Sequence, residues 1–400
     1  MLAGPWAGQN LADLGAEVIK VERPKVGDDS RAFGPPWVKD RQGRDTKDSA
    51  YFTSANRGKK SITVNLSLPA GQELVRKLAA KCDVLLENYK FGDLARYGLG
   101  YEDLKKLNPG LIYCSVTGFG QTGPWRERPG YDFMIQGMGG MMSVTGEPDD
   151  PKGNAPGGGP QRAGVPIADI ITGMYASIAV CAALAHRDAQ VPGRGEGQHL
   201  DLALLDSQIA LLAYQNTNYF ATGKPPGRIG NLHPNIVPYQ PFRSADGEVI
   251  LACGNDNLFR KFCEVAGCPE LAADPRFVTN GKRVENREEI GRLIQNIFIK
   301  KKTAEWLPLL EAAGVPNGPI NDVAQVFEEP QVKARGVKIE LEHAAAGKLP
   351  GVASPMRFSG TPLEYRLAPP VLGQHTEEVL RDILQLDAEE ISRLKKQEVI

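Results

Sequence analysis

Two hydrophobic periods divide the first half of the chain. Ala7, Leu11 and Leu14 share one helical face, Gly15 stops that helix, and EVIKVE (17–22) reads as a strand rich in β-branched residues. SITVNL (61–66) is a second strand, residues 69–81 form an amphipathic helix, and CDVLLEN (82–88) is a third strand. A short helix closes over Leu104–Leu107, and LIYCSVTGFG (111–120) is a strand running into a glycine-rich turn. Strand–helix–strand alternation of this kind predicts an α/β fold, a parallel sheet with helices on its faces. Ligands of such sheets gather at the carboxyl ends of the strands, where ERP (22–24), ENY (87–89) and TGFGQTGP (117–124) fall.

Residues 25–60 carry GDDSR, FGPPW and ANRGKK and read as a long irregular surface segment. Arg31, Arg57, Lys59 and Lys60 within it are candidate phosphate contacts, with solvated charge as the simpler reading of each. From Gly118 to Gly159 the chain is mostly loop, dense in glycine and proline, with a helix start at Tyr131–Asp132. A long apolar helix follows within residues 163–187, then the strand QHLDLAL (198–204) and a helix from Leu205 through Tyr214 to Phe220. Prolines at 225, 226, 234, 238 and 241 mark a boundary. Beyond it, the strand GEVILACGN and helices at Leu258–Val265, Arg287–Ile297 and Thr303–Ala313 form a smaller α/β unit. Val352–Phe358 and a final helix, Glu377–Ile383, are too small to stand alone and return to the first domain. The predicted organisation is 1–222 and 323–400 in a large domain, with 223–322 as linker and smaller domain.

Size and composition agree with two domains. The chain has 400 residues, 42% hydrophobic and 24% charged, which suits a globular protein with more than one core. A net charge of -1 gives no support for nucleic acid or an anionic membrane as partner. The six cysteines, Cys82, Cys114, Cys181, Cys253, Cys263 and Cys268, include no CxxC pair and no histidine at zinc-ligand spacing. No metal site is expected, and reduced thiols in a cytoplasmic enzyme are. No secretory leader is expected either. The apolar stretch after Gly164 approaches the length of a membrane span. Asp169, Thr172, Gly173 and Ser177 interrupt it, so it reads as a core helix. Gly4 and Gly8 let backbone approach a ligand, but they do not make the GxGxxG fingerprint of a nicotinamide site.

One carboxylate stands out. In AGVPIADIITGMYASIAVCAALAHR (163–187), Pro166 suits the first helical turn and Asp169 falls at the end of that turn, where the macrodipole favours an anion. A charge that merely suits a helix start is the plain reading. Its flanks are Val165, Ile167, Ile170 and Ile171, and poor solvation of this kind makes a carboxylate reactive. Nucleophilic carboxylates are an established catalytic device.

Several stretches together resemble the class III coenzyme A transferases, the family of formyl-CoA transferase and carnitine CoA-transferase. They are LAGPWAGQNLADLGAEVIKVERP, YFTSANRGKKSITVNL, ENY, GFGQTGPW, RPGYDFMIQGMGG and GVPIADIITGMYA, in family order over nearly the whole chain. NLHPNIVPYQPF, GVPNGPINDVAQVFEEPQV and PPVLGQHTEEVL look most like the branch acting on dicarboxylates such as succinate and glutarate. The resemblance implies a Rossmann-like large domain built from both ends of the chain, a smaller domain from its middle, and an interlocked homodimer. It places Asp169 at the nucleophile. Leu2, Ala3, Arg23, Val64, Asn88, Tyr89, Arg96, Tyr131 and Asp132 fall at positions that hold coenzyme A, with Leu2 and Ala3 lining the thioester. Tyr51, with Tyr131, falls on the substrate side, and Gly254, Asn255 and Asp256 in a turn over the site. The family loop is nearly all glycine, so Asn255 and Asp256 imply a different acid substrate or a stiffer lid. The match opens at about the last residue of the family's first strand, which implies that the start of this sequence falls short of the family's and bears on the Leu2–Ala3 contacts.

The implied substrates are a coenzyme A thioester and a small (di)carboxylic acid, with no tightly bound cofactor. The route that the resemblance implies begins with Asp169 attacking the thioester to give a mixed anhydride and free thiolate. The thiolate then forms an aspartyl-CoA thioester, which the incoming acid attacks, and a last thiolate step makes the new acyl-CoA. The related α-methylacyl-CoA racemases resemble this chain but carry a histidine at the position of Tyr131, and a phenol with a pKa near 10 shuttles protons poorly at neutral pH. The histidines here, His186, His199, His233, His343 and His375, lie elsewhere and read as structural or loop residues, with His233 in the linker the one to inspect.

Overall fold

A computed structural model describes residues 2–150, 158–190 and 195–400. The chain divides into two compact units: Met1–Met141, Ala163–Thr222 and Gln331–Ile400 form one, Met142–Arg162 and Gly223–Pro330 the other. The 142–162 segment, read from sequence as part of the first domain, clusters with the second unit. There the Gly230 amide donates to the Gly146 carbonyl, and Arg228 bonds the Glu147 carbonyl and the Asp149 carboxylate. Of the glycine- and proline-rich stretch before it, 151–157 lie outside the described residues.

The first unit opens with α1 (Ala3–Asp13) and β1 (Val18–Glu22), then the hairpin β2 (Trp37–Lys39) and β3 (Asp45–Ser49) and the single turn α2 (Ala50–Thr53). β4 (Lys59–Thr63), α3 (Pro69–Ala79), β5 (Val84–Glu87), α4 (Tyr101–Leu107), β6 (Ile112–Thr117) and α5 (Asp132–Met138) follow, and the chain leaves the unit at the start of α6 (Met141–Val144). The chain continues through α7 (Ile167–Gln190), β7 (His199–Ala203), α8 (Leu204–Leu211) and α9 (Tyr214–Thr222). β1 pairs with β4 in parallel, and β5, β6 and β7 form a second parallel sheet in that order. The architecture is the expected mixed α/β one.

Register assigns the faces of β5–β6–β7. Cys114 and Val116 pack with Ala3, Ala7, Ala176 and Val180 of α1 and α7, while Tyr113 packs on the opposite face with Leu78, Leu99 and Leu104. Alternate residues of a strand point to opposite sides, and both sides of this sheet are covered by helices, so its strands read as near-continuous apolar runs. α7 runs 24 residues and is long and apolar enough to cross a membrane by length and composition. In this fold it packs on α1, β6, β7 and α8.

Three sequence expectations need correction. The segment 25–60 is built, not irregular: Arg31 is buried with a bidentate grip on Glu22 (2.8 and 2.7 Å) and a bond to Asp48 (2.6 Å), tying β1 to β3. The helix expected through Phe220 breaks at Ala213, whose φ of 46° is left-handed and unsignalled by glycine or proline. The helix expected at Glu377–Ile383 is present but is not the final one, since another follows at Ala388–Lys396.

The second unit contains the antiparallel strands β8 (Tyr239–Arg243), β9 (Glu248–Ala252) and β10 (Asn317–Gly318). Its helices are α10 (Asp256–Ala266), α11 (Pro269–Ala273), α12 (Asn280–Glu285), α13 (Arg287–Phe298), α14 (Thr303–Ala312) and α15 (Val323–Glu328). Its core is aromatic, with Phe242, Phe262, Phe298 and Trp306 in contact. After α16 (Pro330–Ala334) come the hairpin β11 (Lys338–His343) and β12 (Gly347–Val352), α17 (Thr376–Asp382) and α18 (Ala388–Lys396). This tail packs on β4: the Ser61 amide donates to His375 Nδ1, the Thr63 amide to Thr376 Oγ1, and the Asn65 amide to the Val399 carbonyl.

Candidate active site

The site is built where α7 begins. Asp169 is half-buried in its first turn, and burial together with the Asp132 charge pushes its carboxyl up to about 6. A helix start ordinarily favours an anion through its free N–H groups. Here those groups are taken. Asp132, at the start of α5, accepts the amides of Ala168 (2.9 Å) and Asp169 (3.3 Å) through one oxygen, so the neighbouring helix caps α7. Gln136, fully buried one turn along α5, donates to the other Asp132 oxygen (2.7 Å) and accepts the Ala163 amide (2.8 Å). The result is a like-charge neighbour beside Asp169 in place of the amides that would have stabilised it. Sequence reading missed the cap because a helix that supplies it lies 36 residues away; Asp132 was expected as a coenzyme contact.

One turn further along α7, on the face that Asp169 shares, Gly173 lies under α1. A Cβ there would come within 2.6 Å of the Ala3 carbonyl oxygen, so only glycine permits this crossing. Leu2 and Ala3 are buried, and α1 starts without a side-chain cap. Its first amides are of the kind that a helix leaves without intrahelical partners. Gly4 in turn lets the Asn88 side chain approach, with Cγ 3.4 Å from where a Cβ would stand. Tyr51 is half-buried, edge-on to Phe33 at 5.4 Å, and burial with the Asp169 and Asp132 charges pushes its hydroxyl up to about 12. It therefore stays a neutral donor. Tyr131 stands at the N-cap position of α5 without a side-chain cap bond and is exposed.

The residues expected on the coenzyme side lie just beyond β1 and β5. Tyr89 is exposed and feels the Arg23 charge. Arg23 pairs with Asp29, and Arg96 with Asp93 at 2.6 Å, both on the surface. Exposed pairs of this type are worth ~1 kcal/mol or less, so an incoming phosphate can exchange for the carboxylate. Val64 is a correction: its side chain is 1% exposed in the core with Leu74 and Leu78, and its amide bonds the Glu22 carbonyl, which leaves it no face toward a ligand. The four basic candidates of 31–60 are likewise occupied. Arg31 is paired as above, Arg57 grips Asp13 (2.9 and 2.6 Å), and Lys60 bonds Glu17 and Glu378. Lys59 is buried with its ammonium on the Pro5 and Ala55 carbonyls and Asn56, and burial holds its pKa far below the usual lysine range.

Gly254, Asn255 and Asp256 belong to the second unit. Asn255 caps α10 by accepting the Leu258 amide at 2.9 Å, and Asp256 pairs at 2.8 Å with the fully buried Arg283. Arg283 also bonds the Val237 and Phe277 carbonyls and lies over the Phe259 ring. The two residues that depart from a glycine loop thus anchor it. The ring nitrogens of His343 and His375 accept backbone amides, and so does Nδ1 of His233 in the second unit. His186 bonds Gln190, and His199 stacks on Tyr101.

The chain is similar to known proteins over nearly its whole length. The model of CoA-transferase family III matches residues 1–376. The succinate–glutarate CoA-transferase of Agrobacterium fabrum is 49% identical over 383 residues, 96% of this chain and 92% of that protein. Human succinyl-CoA:glutarate CoA-transferase is 43% identical over 98% of this chain and 86% of its own. A crystal structure of a CaiB/BaiF family protein from Brucella suis superposes with a TM-score of 0.80 at 49% identity, covering 96% of both chains.

Proposed function

This chain belongs to CoA-transferase family III, and on that premise we propose that it passes coenzyme A from succinyl-CoA, or a similar acyl-CoA, to a free dicarboxylic acid such as glutarate, with Asp169 as the nucleophile. The observation that carries the reading is the half-buried Asp169, raised by burial and by Asp132, one helical turn from the uncapped start of α1. With a pKa of about 6 it is still roughly nine-tenths ionised at pH 7, and more basic than an ordinary carboxylate.

The Asp169 oxygen attacks the thioester carbonyl carbon, the C–S bond breaks, and a mixed anhydride and free CoA thiolate result. The thiolate attacks the aspartyl carbonyl and expels the donor acid, leaving aspartyl-CoA. The acceptor carboxylate displaces the thiolate, and the thiolate then attacks the acceptor's acyl carbon, which frees Asp169 and the new acyl-CoA. The amides of Ala3 and Gly4 are the donors for the tetrahedral oxyanions, each worth about 2.7–4 kcal/mol where the site is dry. Tyr51 stays protonated through the cycle and adds a hydroxyl on the substrate side. Arg23, Asn88, Tyr89 and Arg96 hold the coenzyme. The racemase alternative lacks support, because Tyr131 stands where proton shuttling needs an imidazole.

The partner is a second copy. Met174, Tyr175 and Ile178 of α7, Phe133 of α5 and Phe220 of α9, which is 77% exposed, are large apolar side chains without cover on a single chain, as an obligate interface requires. Its six free thiols suit the reducing cytoplasm.

The test is a panel of acyl-CoA donors and acid acceptors read by intact-protein mass spectrometry, native conditions giving the dimer mass. Succinyl-CoA is expected to charge the enzyme with a hydroxylamine-labile coenzyme A adduct that glutarate discharges. No adduct with any donor, or a monomer mass, counts against the reading.

Asp132 supplies a second check. Asp132→Asn keeps an acceptor for the Ala168 amide and removes the like charge, so the Asp169 pKa falls. Only the carboxylate attacks, and the acid limb of kcat/KM for the donor is expected to move to lower pH, with turnover retained near pH 7. An unmoved acid limb contradicts the assignment.

A further inference from the structure

At the carboxyl ends of β5, β6 and β7 the registers place Glu87 beside Ser115 and Ser115 beside Asp201. Paired residues of parallel strands point to one face, as do residues two apart, so Glu87, Ser115 and His199 line the same side of the sheet. There Ser115 Oγ lies 2.9 Å from His199 Nε2, and the serine stands next to Glu87 in the strand register. His199 is locked in turn, stacked on Tyr101 at 5.2 Å and edge-on to Tyr113 at 5.3 Å.

One oxygen of the Glu87 carboxylate accepts the Tyr89 amide at 2.7 Å, two residues on, where the backbone leaves the strand. There Asn88 lies against Gly4 and Tyr89 is exposed beside Arg23. Asp201, two strands away, likewise accepts the Gln121 amide at 2.9 Å. Bonds from a charged acceptor to an amide are about twice as strong as neutral ones.

We propose that Glu87 is a positioning residue for coenzyme A: by accepting the Tyr89 amide, its carboxylate fixes the Asn88–Tyr89 segment in the shape that receives the coenzyme. This rests on reading Asn88 and Tyr89 as coenzyme contacts. Glu87 touches no reacting atom, so its loss weakens binding of the coenzyme and leaves the chemistry of Asp169 alone.

Titration calorimetry with free coenzyme A and steady-state kinetics test this together. Glu87→Met is expected to raise Kd for coenzyme A and KM for the acyl-CoA donor about tenfold, with kcat and the KM for the acceptor acid unchanged. Glu87→Gln, whose amide oxygen still accepts the Tyr89 N–H, is expected to recover most of the binding. Glu87→Ala removes the acceptor with less bulk and is expected to lose as much binding as Glu87→Met, which covers a Met variant that does not fold. Wild-type binding by the Met variant overturns the proposal alone, as does a Gln variant no better than Met or a loss confined to kcat. A wild-type protein that binds no coenzyme A overturns the functional reading and this proposal with it.

Discussion

Asp169→Ala is expected to abolish both the coenzyme A adduct and transfer, by more than about 10⁴-fold in kcat, since no other group can take the acyl cargo in a nucleophilic mechanism. Stability separates this role from the plain alternative. A carboxylate placed only to suit the α7 macrodipole would contribute about 0.3–1 kcal/mol, lost on substitution. The structure argues the opposite sign. The Asp169 pKa is raised from 3.8 to about 6, by burial first and Asp132 second. A group raised in the folded state contributes stability that is present below its unfolded pKa and lost as pH rises through its folded one. Wild type therefore pays for its charged Asp169 above pH 6, and Asp169→Asn, which keeps the shape without the charge, is expected to melt higher than wild type at pH 7.5. That advantage should fade as the pH falls toward 4. An Asn variant that melts lower at pH 7.5 would return Asp169 to a structural part.

Arg31→Met is expected to cost about 3–5 kcal/mol in urea unfolding. Arg31 is 3% exposed and bonds both oxygens of Glu22, one of Asp48 and the Pro370 carbonyl, while its guanidinium lies 3.8 Å over the Phe52 ring. Methionine fills the volume and leaves two buried carboxylates without a counter-charge. Glu22 is the more exposed to this loss: burial pushes its carboxyl up, and Arg31 is what brings it below the usual range. Without the guanidinium, burial wins and Glu22 titrates above its unfolded value. The variant is then expected to regain stability relative to wild type as the pH falls toward 4, by protonating Glu22. A deficit that stays constant with pH would mean that lost packing on Phe52, not stranded charge, sets the cost. Because none of the groups that Arg31 bonds takes part in the chemistry of Asp169, transfer activity of the folded fraction should persist.

The sequence by itself determined what short-range chemistry can specify. Alternation and helical period placed β1, β5, β6, β7, α3, α10 and α13 to within two or three residues, and Pro166 with the apolar flanks placed Asp169 in the first turn of α7. Motif order identified the family, because the glycines that permit close approach, such as Gly4 and Gly173, must stand at fixed distances from the residues they admit. Tertiary structure alone decided the partners. Asp132 caps a helix 36 residues on, Arg31 reaches Pro370 across 339, and Ser115 joins His199 across 84. The same packing turned Arg57 and Lys59 from candidate phosphate contacts into internal ties, broke the α8–α9 helix at Ala213, and buried Val64. A charged side chain reads alike in sequence whether it meets solvent, a carboxylate or a ligand. Only the desolvation imposed by packing selects among them, and desolvation is also what gives Asp169 its raised pKa.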